Sequence, residues 1–233
     1  MNIVITGAGK GIGFQTALLL SGQDHGVIAI SRNKMNLQEL QAESKKRNPS
    51  SKLITFIGDV TEENSVEGIA NEVKTRFQKV DIVINNAGLL ISKPFADLEL
   101  NEWQQIYSTN IFGAVNVTRT FLPMMHAGSH IVNISSMGGF QGSIKFKGLS
   151  AYSSSKAALV NLTECLAEEL KDKKIAVNCL CLGSVQTNMF SEAFPGMQAA
   201  LSEEKMAKYV AQFAVEGHHY FNGKVIPVSN STP

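Results

Sequence analysis

Thr6-Gly7-Ala8-Gly9-Lys10-Gly11-Ile12-Gly13 stands between a short β-branched run, residues 3–6, and a helical pattern over residues 12–21. A chain that leaves a strand and enters a helix in so few residues must turn sharply. Glycine permits the positive φ such a turn needs and lets backbone N–H groups approach a ligand closely. The helix that follows presents unpaired N–H groups and a partial positive charge at its start, which suits an anion. The spacing is Gly-x-x-x-Gly-x-Gly through Gly7, Gly11 and Gly13, because Ile12 and not glycine stands three residues after Gly9. A merely tight turn is the plainer reading. Between a first strand and a helix with an apolar face, the motif predicts a dinucleotide pyrophosphate cradle made by Gly7, Gly11, Ile12 and Gly13.

Outward from that turn, strand-like and helix-like segments alternate. Strands are expected at 27–31, 53–57, 80–85, 131–135, 175–182 and 224–228. Helices are expected at 33–47, 62–78, 101–126 (interrupted near Pro123), 153–171 and 202–215, with Thr61 as the cap of the second of these. The strands are near-continuous apolar runs, so both faces should be covered, as in a parallel sheet. Right-handed β-α-β repeats then give an α/β, doubly wound sheet with helices on both faces. No linker divides the chain, so residues 1–233 read as one dinucleotide-binding domain. Two Gly/Ser-rich stretches, about 138–150 and 184–205, read as its functional loops.

Composition limits the functional classes. The chain has 233 residues, 44% of them hydrophobic and 18% charged, which is ample for a core and excludes a disordered chain. A net charge of +1, from 21 basic and 20 acidic residues, leaves no footprint for nucleic acid or an anionic membrane. No apolar run reaches the ~18 residues of a membrane span. Residues 1–5 enter a strand pattern at once, without a signal-peptide pattern, and the expected location is cytoplasmic. The three cysteines, Cys165, Cys179 and Cys181, fit a reduced thiol set. Cys179 and Cys181 share a strand face, but no further ligands lie near them in sequence, so no metal is expected. His218-His219 reads as solvated polar surface. Trp103, Ile106 and Tyr107 sit at helical spacing and read as packing residues.

The end of the second strand usually selects the dinucleotide. An acidic residue there would hold the ribose 2′-OH of NAD; this chain has Ser31-Arg32. With Lys10 in the glycine turn, two cations are placed for a 2′-phosphate, so NADP(H) is the expected cofactor. Solvated surface charges are the plainer reading of both. Asp59-Val60 follows the third strand, where the adenine edge would lie.

Tyr152-Ser153-Ser154-Ser155-Lys156 sets a phenol and an ammonium four residues apart, on one helix face. Tyr-x-x-x-Lys alone is weak. Here it follows a strand ending Ile134-Ser135-Ser136, with Asn85-Asn86-Ala87-Gly88 after the fourth strand and Ser108-Thr109-Asn110 in the next helix. Taken together and in this order, over nearly the whole chain, these motifs resemble the short-chain dehydrogenase/reductase family. The resemblance implies a Rossmann-type sheet of order 3-2-1-4-5-6-7, a nicotinamide cofactor, and interconversion of a small-molecule carbonyl and a secondary alcohol. By position it implies Tyr152 as acid/base and Lys156 as its activator. Ser136 would hold the substrate oxygen, with Ser135 as its alternative, and Asn110 would order a relay water. Asn86, Ala87, Gly88, Tyr152, Lys156, Gly183, Val185 and Thr187 would line the cofactor. A homodimer or homotetramer is also implied.

A tyrosine with an ordinary pKa of ~10 needs a shift of ~3 units, about 4 kcal/mol, to act as a base near neutrality. An ammonium ~4 Å away supplies about that at an effective dielectric of ~20. In the reductive direction the neutral phenol donates, and less shift is needed.

Three departures from the family pattern stand out. Leu182 precedes Gly183 where the family commonly has proline, residues 145–147 lengthen the segment between Ser136 and Tyr152, and no Asp-Gly-Gly follows the last strand. The competing class is a catalytically silent NADP sensor or scaffold. Among enzymes, 3-oxoacyl-carrier-protein, pteridine (sepiapterin-like), and sugar or steroid carbonyl reductases all fit. Lys145 and Lys147 read either as a site for an anionic group or as a solvated loop.

Overall fold

The structure is a computed structural model and describes residues 1–230; the final residues of the expected 1–233 domain lie outside the described residues. Numbering only the strands of the main sheet, β1 (Asn2–Thr6), β2 (Gly26–Ser31), β3 (Leu53–Ile57), β4 (Ile82–Asn85), β5 (His130–Ser136), β6 (Ala176–Leu182) and β7 (Val225–Val228) form one parallel sheet in the order 3-2-1-4-5-6-7. This is the expected Rossmann-type order. It reverses between β1 and β4, and α/β sheets bind ligands beyond the strand ends at such a reversal.

Successive strand residues point to opposite faces, which explains the near-continuous apolar runs. Ile3 and Ile5 of β1 join Leu20, Leu40, Val210 and Phe213 in one core layer. Val4 joins Ile28, Val83, Phe121 and Val177 in the other. The helices covering these layers are α1 (Gly11–Gly22), α2 (Lys34–Arg47), α3 (Glu63–Phe77), α4 (Leu100–Tyr107), α5 (Gly113–Phe121), α6 (Ser150–Glu169), α7 (Asn188–Ala193) and α8 (Glu203–Glu216).

Several sequence expectations are corrected. Thr61 does not cap α3: its N–H and Oγ1 both donate to Asp59 Oδ1, at 2.9 and 2.8 Å, and Glu62 takes the cap position without a side-chain bond. The helix expected over 101–126 is α4 and α5 joined by a π-turn, Ser108–Phe112, and followed by a 3₁₀ turn, Leu122–Met124, that contains Pro123. α6 begins at Ser150, three residues early, so Tyr152 lies inside its first turn. The stretch after β6 contains α7 and a two-residue parallel pairing of Val185–Gln186 with Leu201–Ser202. His218 is half-buried and not simply solvated, its ring 5.4 Å from that of the fully buried His130.

Candidate active site

The strand ends build a cleft. Beyond β1 the chain turns at Gly7, φ +65°, where a Cβ would come within 2.8 Å of the Ala87 Cα. At Gly13 a Cβ would meet the Gly7 carbonyl oxygen at 2.5 Å, so helix α1 reaches the turn only because that position is bare. Thr6, the last residue of β1, locks the turn to the segment after β4: its Oγ1 accepts from the Asn86 and Ala87 N–H groups at 3.1 and 3.0 Å. The Asn86 amide donates back to the Thr6 and Gly7 carbonyls. Thr6 carries this role without having been singled out from sequence; a buried hydroxyl ending an otherwise apolar strand is the signal.

Gly7, Lys10, Gly11 and Ile12 line the cleft, as do Ser31, Arg32, Asp59 and Val60 at the ends of β2 and β3. Arg32 Nη1 lies 3.5 Å from Asp59 Oδ2, with the arginine side chain 71% exposed. Burial alone would raise the Asp59 pKa, but the Thr61 hydrogen bonds and Arg32 outweigh it and hold the carboxyl below its ordinary value. Asn86, Ala87, Gly88, Ser136, Tyr152, Lys156, Gly183, Val185 and Thr187 line the remainder.

Two expected site residues stand behind the wall. Gly13 supports the turn by close packing. Asn110, buried in the π-turn, spends its amide on Leu89 N–H (2.7 Å), Leu89 carbonyl (3.0 Å) and Ser155 Oγ (2.8 Å). Its side chain is therefore committed to protein partners. π-turns inside helices occur frequently at functional sites.

Tyr152 and Lys156 share one face of α6, with the ammonium 5.9 Å from the phenol centroid. Ser135 and Ser136 separate by strand alternation. Ser135 is buried and donates to the Lys156 carbonyl at 2.9 Å, whereas Ser136, at the strand end, lines the cleft with Tyr152, its Oγ accepting from the Gly138 N–H at 3.1 Å. Lys156 Nζ donates to the Ile134 carbonyl at 2.8 Å. Burial lowers its pKa to about 8, the neighbouring Cys179 and Cys181 opposing. Burial pushes the Tyr152 phenol above its ordinary pKa, and the Ser136 hydroxyl opposes that only in part. The neutral phenol is thus the favoured form. A base with a strongly depressed pKa, as considered from sequence, is not what the protein residues alone produce.

A buried polar chain beneath the cleft fixes α6. The Asn85 amide donates to Thr118 Oγ1 and Asn133 Oδ1 at 3.0 and 2.8 Å, and Asn133 donates to Thr163 Oγ1 at 2.9 Å. Gly183 N–H is tied to the Val228 carbonyl (2.9 Å), and Thr187 Oγ1 accepts from Phe190 N–H (3.0 Å), starting α7. Among the described residues, no group of three or more His, Cys, Asp or Glu side chains is arranged to hold a metal.

A glycine turn against the start of α1 at one end of a cleft and a phenol, a hydroxyl and an ammonium at the other stand beyond the strand ends of a Rossmann-type sheet. The short chain dehydrogenase family model matches residues 1–198, and the chain belongs to that family. It is 29% identical to a 3-oxoacyl-[acyl-carrier-protein] reductase of Thermotoga maritima, over 97% of this chain and 94% of that one. Its fold matches that of a short chain dehydrogenase of Burkholderia cenocepacia in complex with NADP, with TM-score 0.89 and 23% identity, covering 99% and 96% of the two chains. It also matches a 3-ketoacyl-(acyl-carrier-protein) reductase of Brucella melitensis complexed with NADH, with TM-score 0.84 and 24% identity, covering 97% and 95%. No helix among the described residues is long and apolar enough to cross a membrane.

Proposed function

We propose that the protein is an NADP(H)-dependent carbonyl reductase acting on a small-molecule ketone, with Tyr152 as proton donor. The convergence of Tyr152, Ser136 and Lys156 at one end of a cleft whose other end carries Arg32 and Lys10 is the observation behind this reading. Gly7, Gly11 and Ile12 line the cleft where α1 begins, which fits a pyrophosphate meeting the first backbone N–H groups of that helix, with Gly13 packed behind them. Arg32 and Lys10 would hold the 2′-phosphate. Ala87, Gly88, Gly183, Val185 and Thr187 would flank the nicotinamide side, and Asp59 and Val60 the adenine. When bound, NADPH supplies a hydride to the carbonyl carbon and is itself oxidised.

Tyr152 gives its proton to the carbonyl oxygen, so ketone plus hydride plus proton gives the secondary alcohol. Ser136 donates a hydrogen bond to the same oxygen as charge develops there, a contact whose loss typically costs ~10²–10³ in rate. Lys156 supports the phenolate left after transfer. Its lowered pKa of about 8 still leaves it mostly cationic near neutrality. Asn110 acts as a positioning residue, clamping Leu89 to Ser155, whose Oγ donates to the Tyr152 carbonyl at 2.7 Å. The segments 138–150 and 184–205 border the substrate. A 3-oxoacyl thioester is the second substrate reading, supported by the Thermotoga relative.

NADPH oxidation over a panel of ketones tests the proposal. Turnover dependent on the ketone is expected, and its absence for every carbonyl, with NADPH still bound, would favour a silent sensor.

A further inference from the structure

The end of the cleft beyond Tyr152 is walled by apolar side chains. Leu90 comes from the segment after β4, Met137 follows Ser136, and Phe146 comes from the lengthened segment before α6. Phe190 lies on α7, with Phe194 and Met197 just after it. Phe146 meets Phe194 edge to face at 5.9 Å between ring centroids, and Phe194 packs on Phe190 at 5.2 Å. Two loops far apart in sequence therefore meet through aromatic rings over the reaction end. Phe146 is 49% exposed and Met197 56% exposed, an apolar rim with spare surface facing outward.

The charges are elsewhere. Among the described residues lining the cleft, the charged side chains are Lys10, Arg32, Asp59 and Lys156. The first three belong to the β1–β3 end, and Lys156 is bonded to the Ile134 carbonyl. Of the two candidate anion partners from sequence, Lys145 is turned back on its own loop, its Nζ donating to the Phe140 carbonyl at 2.7 Å and to Ser143 Oγ at 2.6 Å, and Lys147 is exposed beyond the cleft lining. Lys93 is ion-paired with Glu102. A carboxylate or phosphate pushed against the rings of this chamber would lose its water away from Lys10 and Arg32, with the Lys156 ammonium already bonded to the Ile134 carbonyl, which is unfavourable.

We propose that the substrate is an uncharged ketone with a bulky apolar body, its oxygen at Ser136 and Tyr152 and its body against Phe146, Phe190 and Phe194, with Phe146 and Phe194 setting specificity. This rests on the carbonyl-reductase reading. It opposes a short 3-oxoacyl thioester such as acetoacetyl, whose reacting end brings no apolar body to the three rings.

The test compares phenylacetone, its para-carboxylate analogue and acetoacetyl-coenzyme A as NADPH-dependent substrates. Phenylacetone is expected to exceed both in kcat/KM by at least ~10²-fold, because the para-carboxylate would be desolvated against the rings and the acetoacetyl group buries no apolar body there. Phe194→Ala should raise KM for phenylacetone ~10-fold with kcat within ~3-fold, the pattern of lost uniform binding. Equal or better turnover of either anionic ketone would overturn the proposal, as would an unchanged KM in folded Phe194→Ala. Calorimetry on NADPH-saturated Tyr152→Phe reads the chamber without turnover. Phenylacetone binding there, with no ketone reduced by the wild type, overturns the reductase reading and leaves the chamber. Turnover of other ketones without phenylacetone binding overturns the chamber alone.

Discussion

The two ends of the cleft are built by different means. At the proposed nucleotide end, backbone does the work: a bare turn, a strand end and the start of α1, locked by Thr6 and Asn86, with Arg32 and Lys10 at the rim. At the proposed substrate end, side chains on two irregular segments meet through Phe146 and Phe194. A backbone-built site depends on a few bare positions at fixed spacing, and these are local in sequence. A side-chain chamber depends on which distant loops meet, and composition along either loop does not say so. The same fold can therefore keep one cofactor end while its other end is refitted for a different ketone.

The sharpest way to break this contrast is at the nucleotide rim. Wild type should prefer NADPH to NADH by at least ~10² in kcat/KM. Hydrogen bonds to charged groups are worth ~1.5–3 kcal/mol each; Arg32 and Lys10 would share one phosphate, and Arg32 is partly occupied by Asp59, so the pair is taken at about 3 kcal/mol, or two decades. Arg32→Ala should lose most of that preference, because its planar fork holds two oxygens at once. Equal use of the two cofactors by wild type would remove the argument.

A smaller effect sharpens the other side. Shortening the loop around residues 145–147 removes Phe146 from its contact with Phe194. KM for the ketone should rise ~10-fold and Kd for NADPH should stay within ~2-fold, as expected when only substrate contacts are lost. Titration of NADPH into the shortened protein decides it: a collapse in affinity with the fold intact would mean the two ends are not separable.

The strand that carries Ser136 begins at His130, far from the cleft, and that end answers to pH differently. His130 is fully buried, its Nδ1 2.9 Å from the Ala214 carbonyl, with the Asn178 amide 3.0 Å from its Nε2 and His218 beside it. Burial lowers its pKa from 6.5 to about 4. The unfolded chain then binds the extra proton first, so the native state loses stability as pH falls from about 6.5 towards about 4, by up to about 3 kcal/mol. Above that range this contribution is flat. Denaturant midpoints measured at several pH values should show the decline, and a His130→Asn variant should show a shallower one. An unchanged slope in that variant would place the acid sensitivity elsewhere.

Legibility from sequence follows the same division. The parallel α/β sheet was readable from apolar runs that repeat without interruption and the glycine turn from its spacing, whereas the strand order and the roles of Tyr152 and Lys156 came with the family resemblance that the motifs carry together. Ser136 was separable from Ser135 only by strand alternation, which the structure supplies. Thr61 looked like a cap until Asp59 turned out to take its donors. The π-turn that buries Asn110 is stabilised by Leu89 and Ser155, from different parts of the chain. Helix α7 and the aromatic contact have no local periodicity to announce them, because they form only where two loops meet.

In the proposed reaction Tyr152 delivers the proton in an NADPH-linked ketone reduction. The most direct measurement is single-turnover reduction of phenylacetone by Tyr152→Phe, alongside NADPH titration of the same protein. The phenyl ring keeps the packing and removes only the hydroxyl. The expected rate is at least ~10³ below wild type, within the range for loss of a general acid, with Kd for NADPH unchanged within ~2-fold. A reduction rate in Tyr152→Phe close to that of wild type would contradict it.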